Sequence, residues 1–357
     1  MKKSIYFING MFVLCSTTLF ASEALTPIAY GVKSLGMGGV SIATPQGAES
    51  GFENPALLSN LNKNEVSLGV TATKPSRNLS NSAYEGEYKE DNTYTPYMAL
   101  NYKINSAFSC GFLASSYELK YALKKSNNNA DIKKTRVILP VSYNLNNFSM
   151  GISLVAEKEK YYVGNTKKPD WDFSSTDYGY MLGLSYKFPD AGIELAMNYK
   201  SKIKHEFFNV DHTFELSSPS EMGIGLHWNL ANTKSSIGVD CKRVFSSEIY
   251  SRSDEPSRSA WFKDMNVLAV GYSYDTDRWS FRLGYRYVGE MYGYDLLELR
   301  NPYMSKSHYT IGGTYAFNKN FSTDIAVVYA PFEDTLSDGS TMTANTTSAA
   351  LGFNYSF

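Results

Sequence analysis

Few side chains in this sequence are placed to do chemistry, and most of those are cations set among apolar and aromatic residues. Lys158 and Lys160 stand in "LVAEKEKYYVG", Arg258 in "DEPSRSAWF", and Arg282 and Arg286 in "WSFRLGYRY". A cation in apolar surroundings can hold the charged end of an otherwise apolar molecule through a charge-assisted hydrogen bond. It can equally pair with a carboxylate of its own chain, and Glu157, Glu194, Asp240 and Asp324 are available. Catalysis is poorly served. His205, His212, His227 and His308 have no serine partner at a recognisable spacing, and "DHTFE" around His212 lacks the convergent ligands of a metal site. "SDGS" at 337–340 lacks the acidic series of a calcium loop. No cofactor, no metal and no enzymatic activity are expected.

The charge excludes a nucleic-acid partner. Lys plus Arg number 34 against 35 Asp plus Glu, a formal charge of −1, so no basic footprint exists. The start, "MKKSIYFINGMFVLCSTTLFASEA", has a basic pair, Lys2 and Lys3, an apolar run over 5–20 and a small residue for cleavage at Ala21 or Ala24. These are the parts of a secretory signal peptide, here assigned to residues 1–21. Cys110 and Cys241 then remain, which excludes a disulfide framework and favours free thiols. Mean hydropathy is −0.31. That value suits a soluble protein, but it suits equally a membrane barrel whose strands alternate apolar and polar residues.

The elements that must position the cations are strands. The end of the chain, "TTSAALGFNYSF", puts Thr347, Ala349, Leu351, Phe353, Tyr355 and Phe357 on one face and small or polar residues on the other. Period two marks a strand with one apolar face. The same alternation recurs in "FSTDIAVVYA", "HYTIGGTYAF", "WSFRLGYRY" and "AGIELAMNYK". In the third of these, Phe281, Leu283, Tyr285 and Tyr287 share a face and turn Arg282 and Arg286 inward. Short links near Ile104, Asn146, Asp190, Ala231, Thr276 and Lys319 alternate with long polar links over 75–92, 120–130, 164–174, 205–218, 246–261, 289–306 and 331–345. Outer-membrane barrels have this asymmetry and an even strand number. The reading is an all-β, transmembrane antiparallel barrel of about fourteen strands over 63–357, located in the bacterial outer membrane among its lipids, and monomeric. A secreted β-sandwich or solenoid is the alternative, though sandwich loops need not alternate in length and no sequence repeat appears.

Residues 22–62 have neither period. "SLGMGGVSIATPQGAES" and "GFENPALLSN" are rich in small residues, which allow close backbone packing, and Pro55 sets a turn. Irregular backbone at membrane depth is tolerated only when it is buried in protein or lines a cavity. The segment therefore reads as a hatch, or plug, inside the barrel; a tail folded under the barrel is the other possibility. Pro140, in "TRVILPVSYNL", is the sharpest anomaly among the strands. It faces inward between the outward residues Leu139 and Val141 and cannot donate to the ladder. It marks either a lateral gate or a bulge of no consequence.

Taken together, "ENPALLSN" after a Gly-rich lead, "AWFKDMNVLAVGYSYDTDRWSFRLGYRY", "GGTYAFNKNFSTDIAVVYA" and "LGFNYSF" resemble the long-chain fatty-acid transporter family, the FadL/TodX-type outer-membrane proteins. Pro219 and Asp240 also stand where that family has Pro and Asp. The resemblance implies a fourteen-stranded barrel with an N-terminal hatch whose turn is Asn54, Pro55 and Ala56. It implies uptake of fatty acids or other hydrophobic compounds, with sideways release through a gap in the wall. By the same resemblance Arg258 matches a basic residue that contacts the ligand head group, and basic residues occur in the region of Lys158 and Lys160. The sequence departs from the family at Ser305-Lys306, where Asp-Arg is usual, and in a third strand without the usual kink. The competing functions are a structural barrel of a secretion or conjugation apparatus, which can share the "GMGG…NPA" opening, and a lipid hydrolase.

Overall fold

The computed structural model describes residues 22–23, 26–80, 86–89, 92–123, 128–165, 168–209, 212–252, 262–290, 305–335 and 341–357. The signal peptide expected over 1–21 and Arg258 lie outside these residues. One antiparallel sheet dominates. Its strands are β1 (Glu65–Ser80), β2 (Thr93–Lys103, continued upward by Gly86–Lys89), β3 (Phe108–Leu123), β4 (Asn128–Leu145), β5 (Phe148–Asn165), β6 (Lys168–Phe188) and β7 (Ile193–Lys200). It continues with β8 (Glu221–Asn229), β9 (Ser235–Val244), β10 (Met265–Asp275), β11 (Trp279–Val288), β12 (Ser307–Ala316), β13 (Phe321–Thr335) and β14 (Thr341–Ser356). Each strand pairs with its neighbour in order. β14 pairs with β1 from Thr341↔Ser80 to Ser356↔Glu65, so the fourteen strands close.

Closure leaves no sheet edge in the bilayer, where unpaired backbone groups would be costly. No helix among the described residues is long and apolar enough to cross a membrane. The crossing is made by strands. Outward positions carry large apolar side chains that would face water in a soluble protein: Leu154 is 65% exposed, Ile325 59% and Ile224 59%. Tyr, Trp and Phe cluster at the short-turn end, as in the Trp279–Tyr315 contact at 4.5 Å between ring centres.

β7 to β12 have 8 to 11 residues. At about 3.3 Å per residue such strands just cover the ~25 Å apolar band of an outer-membrane barrel. β3 to β6 have 16 to 21 residues and run well beyond it. This corrects the expected loops at 120–130 and 164–174. β3 reaches Leu123 and β4 starts at Asn128, while β5 reaches Asn165 and β6 starts at Lys168. The polar residues there stay in the ladder because a strand above the bilayer meets water on its outer face.

Residues 26–62 hold one short helix, Val32–Leu35, and two 3-10 turns, Glu49–Phe52 and Pro55–Asn60. Their polar groups bond inward-facing side chains around the barrel's circumference. Ser41 and Ile42 donate backbone N–H to Asp240 Oδ2 on β9, at 2.7 and 2.9 Å. Thr310 on β12 accepts from Gly38 N at 2.8 Å and donates to Gly36 O at 3.1 Å. Arg286 Nη1 on β11 donates to Gly38 O at 3.2 Å. Ser142 on β4 accepts from Ser59 N at 3.0 Å and donates to Ala56 O at 3.1 Å. Tyr97 on β2 donates to Glu49 Oε1 at 2.5 Å. Asn54 accepts from Ala56 N at 3.0 Å, capping the turn that Pro55 opens.

The small residues are required by distance. Gly38 has a positive φ of 73° and its nitrogen lies 2.1 Å from where a Cβ on Gly284 would stand. A Cβ on Gly151 would lie 2.5 Å from the Pro55 carbonyl carbon. Neither strand could carry a side chain there without displacing the inner segment.

Candidate functional site

Above the inner segment, the lumen is crossed by a cluster of paired charges. On β4, the alternation that turns Leu139 and Val141 outward turns Lys134 and Arg136 inward, and both are buried. On β5 the inward residues are Glu157 and Glu159, each fully buried. Arg136 binds Glu157, with Nη2 at 2.5 Å and Nε at 2.7 Å from Oε2. Lys134 lies 3.1 Å from Glu159 and donates to Ser218 Oγ at 2.9 Å. A second group lies toward the inner segment. There Lys200 is 2.6 Å from Glu53 and 3.3 Å from Glu221, and Lys242 is 3.3 Å from Glu221 and 3.7 Å from Glu53. For the Glu53 carboxyl, burial raises the pKa, but Lys200 and Lys242 outweigh burial and hold it below its ordinary value. Breaking one such buried pair from one side typically costs about 3–5 kcal/mol, because it strands a charge.

A cavity borders this cluster. Val155, Met181, Ile203 and Pro219 supply its apolar surface, Thr26, Ser201 and Ser218 hydroxyls, and Arg136, Lys200 and Glu221 the charges.

The cavity lies beside a break in the wall. β7 and β6 pair as far as Lys200↔Met181, and Ser201 N then donates to Tyr180 O at 2.9 Å. Beyond that point β6 continues with β5 alone among the described residues, while the β7 chain leaves β6. It carries Ile203, His205 and Phe207 into the lumen, all buried. The hairpin Glu206–Asn209 and His212–Leu216 joins Tyr250–Arg252 in a separate three-stranded sheet. His205 latches it: Nδ1 lies 2.9 Å from Asp177 and Nε2 3.2 Å from Glu157. Phe207 packs against Tyr161 and Phe173, with ring centres 6.4 and 6.2 Å away. Glu157, Glu159 and His205 bring possible metal ligands within 4.8 Å of one another. Lys134 and Arg136 already neutralise the two carboxylates, so a cation would have to displace them.

A second break lies nearer the short-turn end. β3 and β4 pair from Phe108↔Tyr143 to Cys110↔Val141 and again from Leu113↔Ile138, in one register. Gly111 and Phe112 have no bridge to Leu139 and Pro140. Both strands remain paired on their other sides, Asn101↔Gly111 and Pro140↔Ser153. A bulge would have shifted the register; here the ladder is interrupted without an inserted residue. Pro140 faces inward and its ring crowds Gly111, where a Cβ would lie 2.9 Å from Cγ. Leu58, in the Pro55–Asn60 turn, stands behind the gap, 3.6 Å from that same point.

Several expected ligand residues stand elsewhere. Lys158 and Lys160 are exposed on the outer face of β5. Leu154 is outward, and residues of its parity follow it out; the inward cations belong to β4 instead. The alternation in "KKTRVILP" contained that information, because an outward Leu139 sends Arg136 and Lys134 inward. Arg282 and Arg286 are inward, as their strand's alternation requires, but not at the cavity. Arg282 donates to Thr314 at 2.7 Å, and Arg286 touches the inner segment. The sequence pattern does not mark Lys200, Glu221 or Glu53, and gives His205 no partner, since nothing local shows that 203–207 turns into the lumen.

Residues 22–357 match the family described as outer membrane protein transport protein (OMPP1/FadL/TodX). The chain belongs to this family. It is an outer-membrane β-barrel of a family of transport channels for hydrophobic compounds. It is 22% identical over 365 residues to the long-chain fatty acid transport protein of Escherichia coli (strain K12), covering 77% of this chain and 80% of that one. Its fold is similar to the Pseudomonas putida toluene transporter TodX, with a TM-score of 0.73 at 16% identity, over 92% of this chain and 99% of that one. It is also similar to a Pseudomonas aeruginosa FadL homologue, with a TM-score of 0.72 at 15% identity over 96% and 98%.

Proposed function

We propose that this protein takes up long-chain fatty acids or other hydrophobic compounds through the outer membrane, along a lumen closed by a hatch spanning 22–62 and left sideways at the β3–β4 gap. The observation that carries this reading is the anchoring of the inner segment to strands all round the barrel, from Asp240 and Thr310 to Ser142. A straight polar route is thereby blocked, and an apolar molecule has reason to leave through the wall. The ladder break beside Pro140 lies where the outer face is apolar, with Leu139 49% and Val141 47% exposed. The Asn54-Pro55-Ala56 turn packs against the same region through Ser142 and Gly151. The barrel's own ladder is closed without the hatch.

Removing 22–62 from the mature chain should therefore leave a folded but leaky barrel. Planar-bilayer conductance of the truncated protein checks this. An increase of about an order of magnitude or more is expected, because a wide polar lumen conducts ions once unplugged. Conductance equal to that of the intact protein would mean that the segment is not a plug.

A further inference from the structure

We propose that three lysines on the outer face of the barrel, Lys133, Lys158 and Lys160, bind a phosphate group of a lipid in the outer leaflet of the membrane. The proposal does not depend on what passes through the lumen. Lys133 on β4 and Lys160 on β5 are register partners, and Lys158 stands opposite Thr135 one outward row nearer the bilayer. On the other side of β5, Lys158 faces Thr176 and Lys160 faces Ser174 of β6. The three lysines and the three hydroxyl residues are all exposed. Side chains directly opposite each other on an antiparallel pair start about 5 Å apart, and like charges so placed repel. Lys133 against Lys160 is therefore unfavourable until an anion lies between them. The inward cations Lys134, Arg136, Lys200 and Lys242 are each held by a carboxylate. Among the described residues, Lys133, Lys158 and Lys160 have neither an ion pair nor a hydrogen bond.

Height on the barrel selects the ligand. At about 3.3 Å per residue and a tilt of about 40°, a strand climbs ~2.5 Å per residue, so the ~25 Å apolar band takes about ten residues. Tyr143 and Met150 are partners beside the aromatic residues of the short-turn end, and Lys133 and Lys160 are partners ten residues further along the same strands. The lysines thus stand where the apolar band ends, on the side of the longer connections, which faces the cell exterior. Directly below them the outer face is apolar at Leu139 and Leu154 and small at Ala156, with Tyr178 alongside, 76% exposed. Tyrosine belongs at such an interface, with its ring at head-group level. Acyl chains lying on the apolar rows therefore bring a lipid's phosphate to the lysines, which can donate charge-assisted hydrogen bonds to it. Glu118 faces Lys133 from β3 and is the one carboxylate of these two rows, against three cations. The next row outward holds, by register, Lys120, Asp131, Tyr162 and Asp172. The excess of positive charge is confined to head-group height.

Native mass spectrometry of the full mature protein in a non-ionic detergent tests this, with diphosphoryl lipid A as the probe and a phosphate-free glycolipid of similar acyl content beside it. The bound fraction should be several-fold higher for lipid A at equal concentration. A basic residue at an anionic lipid surface contributes about fivefold in affinity. Combining Lys133→Gln, Lys158→Gln and Lys160→Gln should therefore weaken lipid A binding by about tenfold or more and leave the phosphate-free glycolipid unchanged. Lys63→Gln, Lys234→Gln and Lys319→Gln together remove the same charge from exposed positions at the short-turn end, and should have no such effect. Inorganic phosphate at the lipid's concentration should not displace lipid A, since it lacks the chains; displacement would make the patch a site for free phosphate and overturn the proposal. Equal binding of the two glycolipids, or equal loss in the two triple variants, would overturn it as well. If the outer-face variant does not fold, the comparison of the two glycolipids on the unmodified protein decides alone.

Discussion

Among the described residues the barrel wall is interrupted at two places, and the interruptions have different causes. Between β3 and β4 the ladder stops opposite Pro140 and resumes two residues later in the same register. The cause is local, because proline lacks the N–H that the bridge needs. Between β6 and β7 the ladder stops because the β7 chain leaves the wall after Ser201 and places His205 and Phe207 in the lumen. There the cause is tertiary. A latch of buried Glu157 and His205 with half-buried Asp177 holds the departing chain where it is. One break is a missing bond in an otherwise continuous strand pair; the other is a change of partner. The first should respond to backbone chemistry and the second to side-chain charge.

The same distinction governs how much could be read from the sequence. The barrel was legible because lipid outside and polar lumen inside impose period two on strand after strand, as in "TTSAALGFNYSF" and "WSFRLGYRY". Pro140 was legible because its effect needs no knowledge of distant residues. The charge cluster was legible only in part. Alternation on β4 places Arg136 inward, but that Arg136 meets Glu157, and that His205 arrives from far along the chain to face the same carboxylate, depends on chain paths with no local signature. Polar strand above the bilayer was read as loop for a related reason. With water on its outer face and a polar lumen on its inner one, it loses the apolar half of the pattern.

The largest expected effect is at the second break. Arg136→Met removes the cation from Glu157, a buried carboxylate whose remaining partners are Ser218 and His205. Stranding such a charge costs about 3–5 kcal/mol. The loss should fall on the lumenal chain from Ile203 to Ser218, which packs on these residues, and leave the β3–β4 gap unchanged. Hydrogen exchange on the detergent-solubilised protein checks this. Amides of 203–218 should lose protection while those of β3 and β4 keep it. Uniform loss across the barrel would mean that the two breaks are not independent.

A smaller effect is expected from Glu49, in the inner segment behind the first break. Burial pushes its carboxyl up to about 7, against the opposing influence of nearby Lys33, while Tyr97 donates to it at 2.5 Å. A raised folded-state value means that the stabilisation is complete below about pH 4.5 and is lost as pH rises through about 7. At 1.36 kcal/mol per unit, the change is at most about 3 kcal/mol. The inner segment should therefore sit more loosely at pH 8 than at pH 5. Bilayer conductance should rise across that interval, and Glu49→Gln, which cannot ionise, should flatten the step. An identical step in Glu49→Gln would assign the titration to another group.

The smallest effect is expected at Pro140, where a mechanistic role and a purely structural one separate cleanly. Pro140→Ala supplies the missing N–H opposite a strand already in register, so a bridge to Gly111 or Phe112 can form without sliding either strand. It also removes the ring that crowds Gly111. A restored bond typically contributes about 0.5–1.5 kcal/mol, and giving up proline's restriction of the unfolded chain costs about 0.4–1 kcal/mol. The net change in thermal stability should thus be level or slightly upward, by no more than about 1 kcal/mol. Uptake should respond far more strongly than stability, because closing the gap removes the sideways route while leaving the cavity at Val155 and Met181 untouched. Binding of a hydrophobic probe should therefore survive while uptake falls. Unchanged uptake with the same small stability shift would make the gap a structural irregularity, and would turn attention to the β6–β7 break, the other interruption of the wall among the described residues.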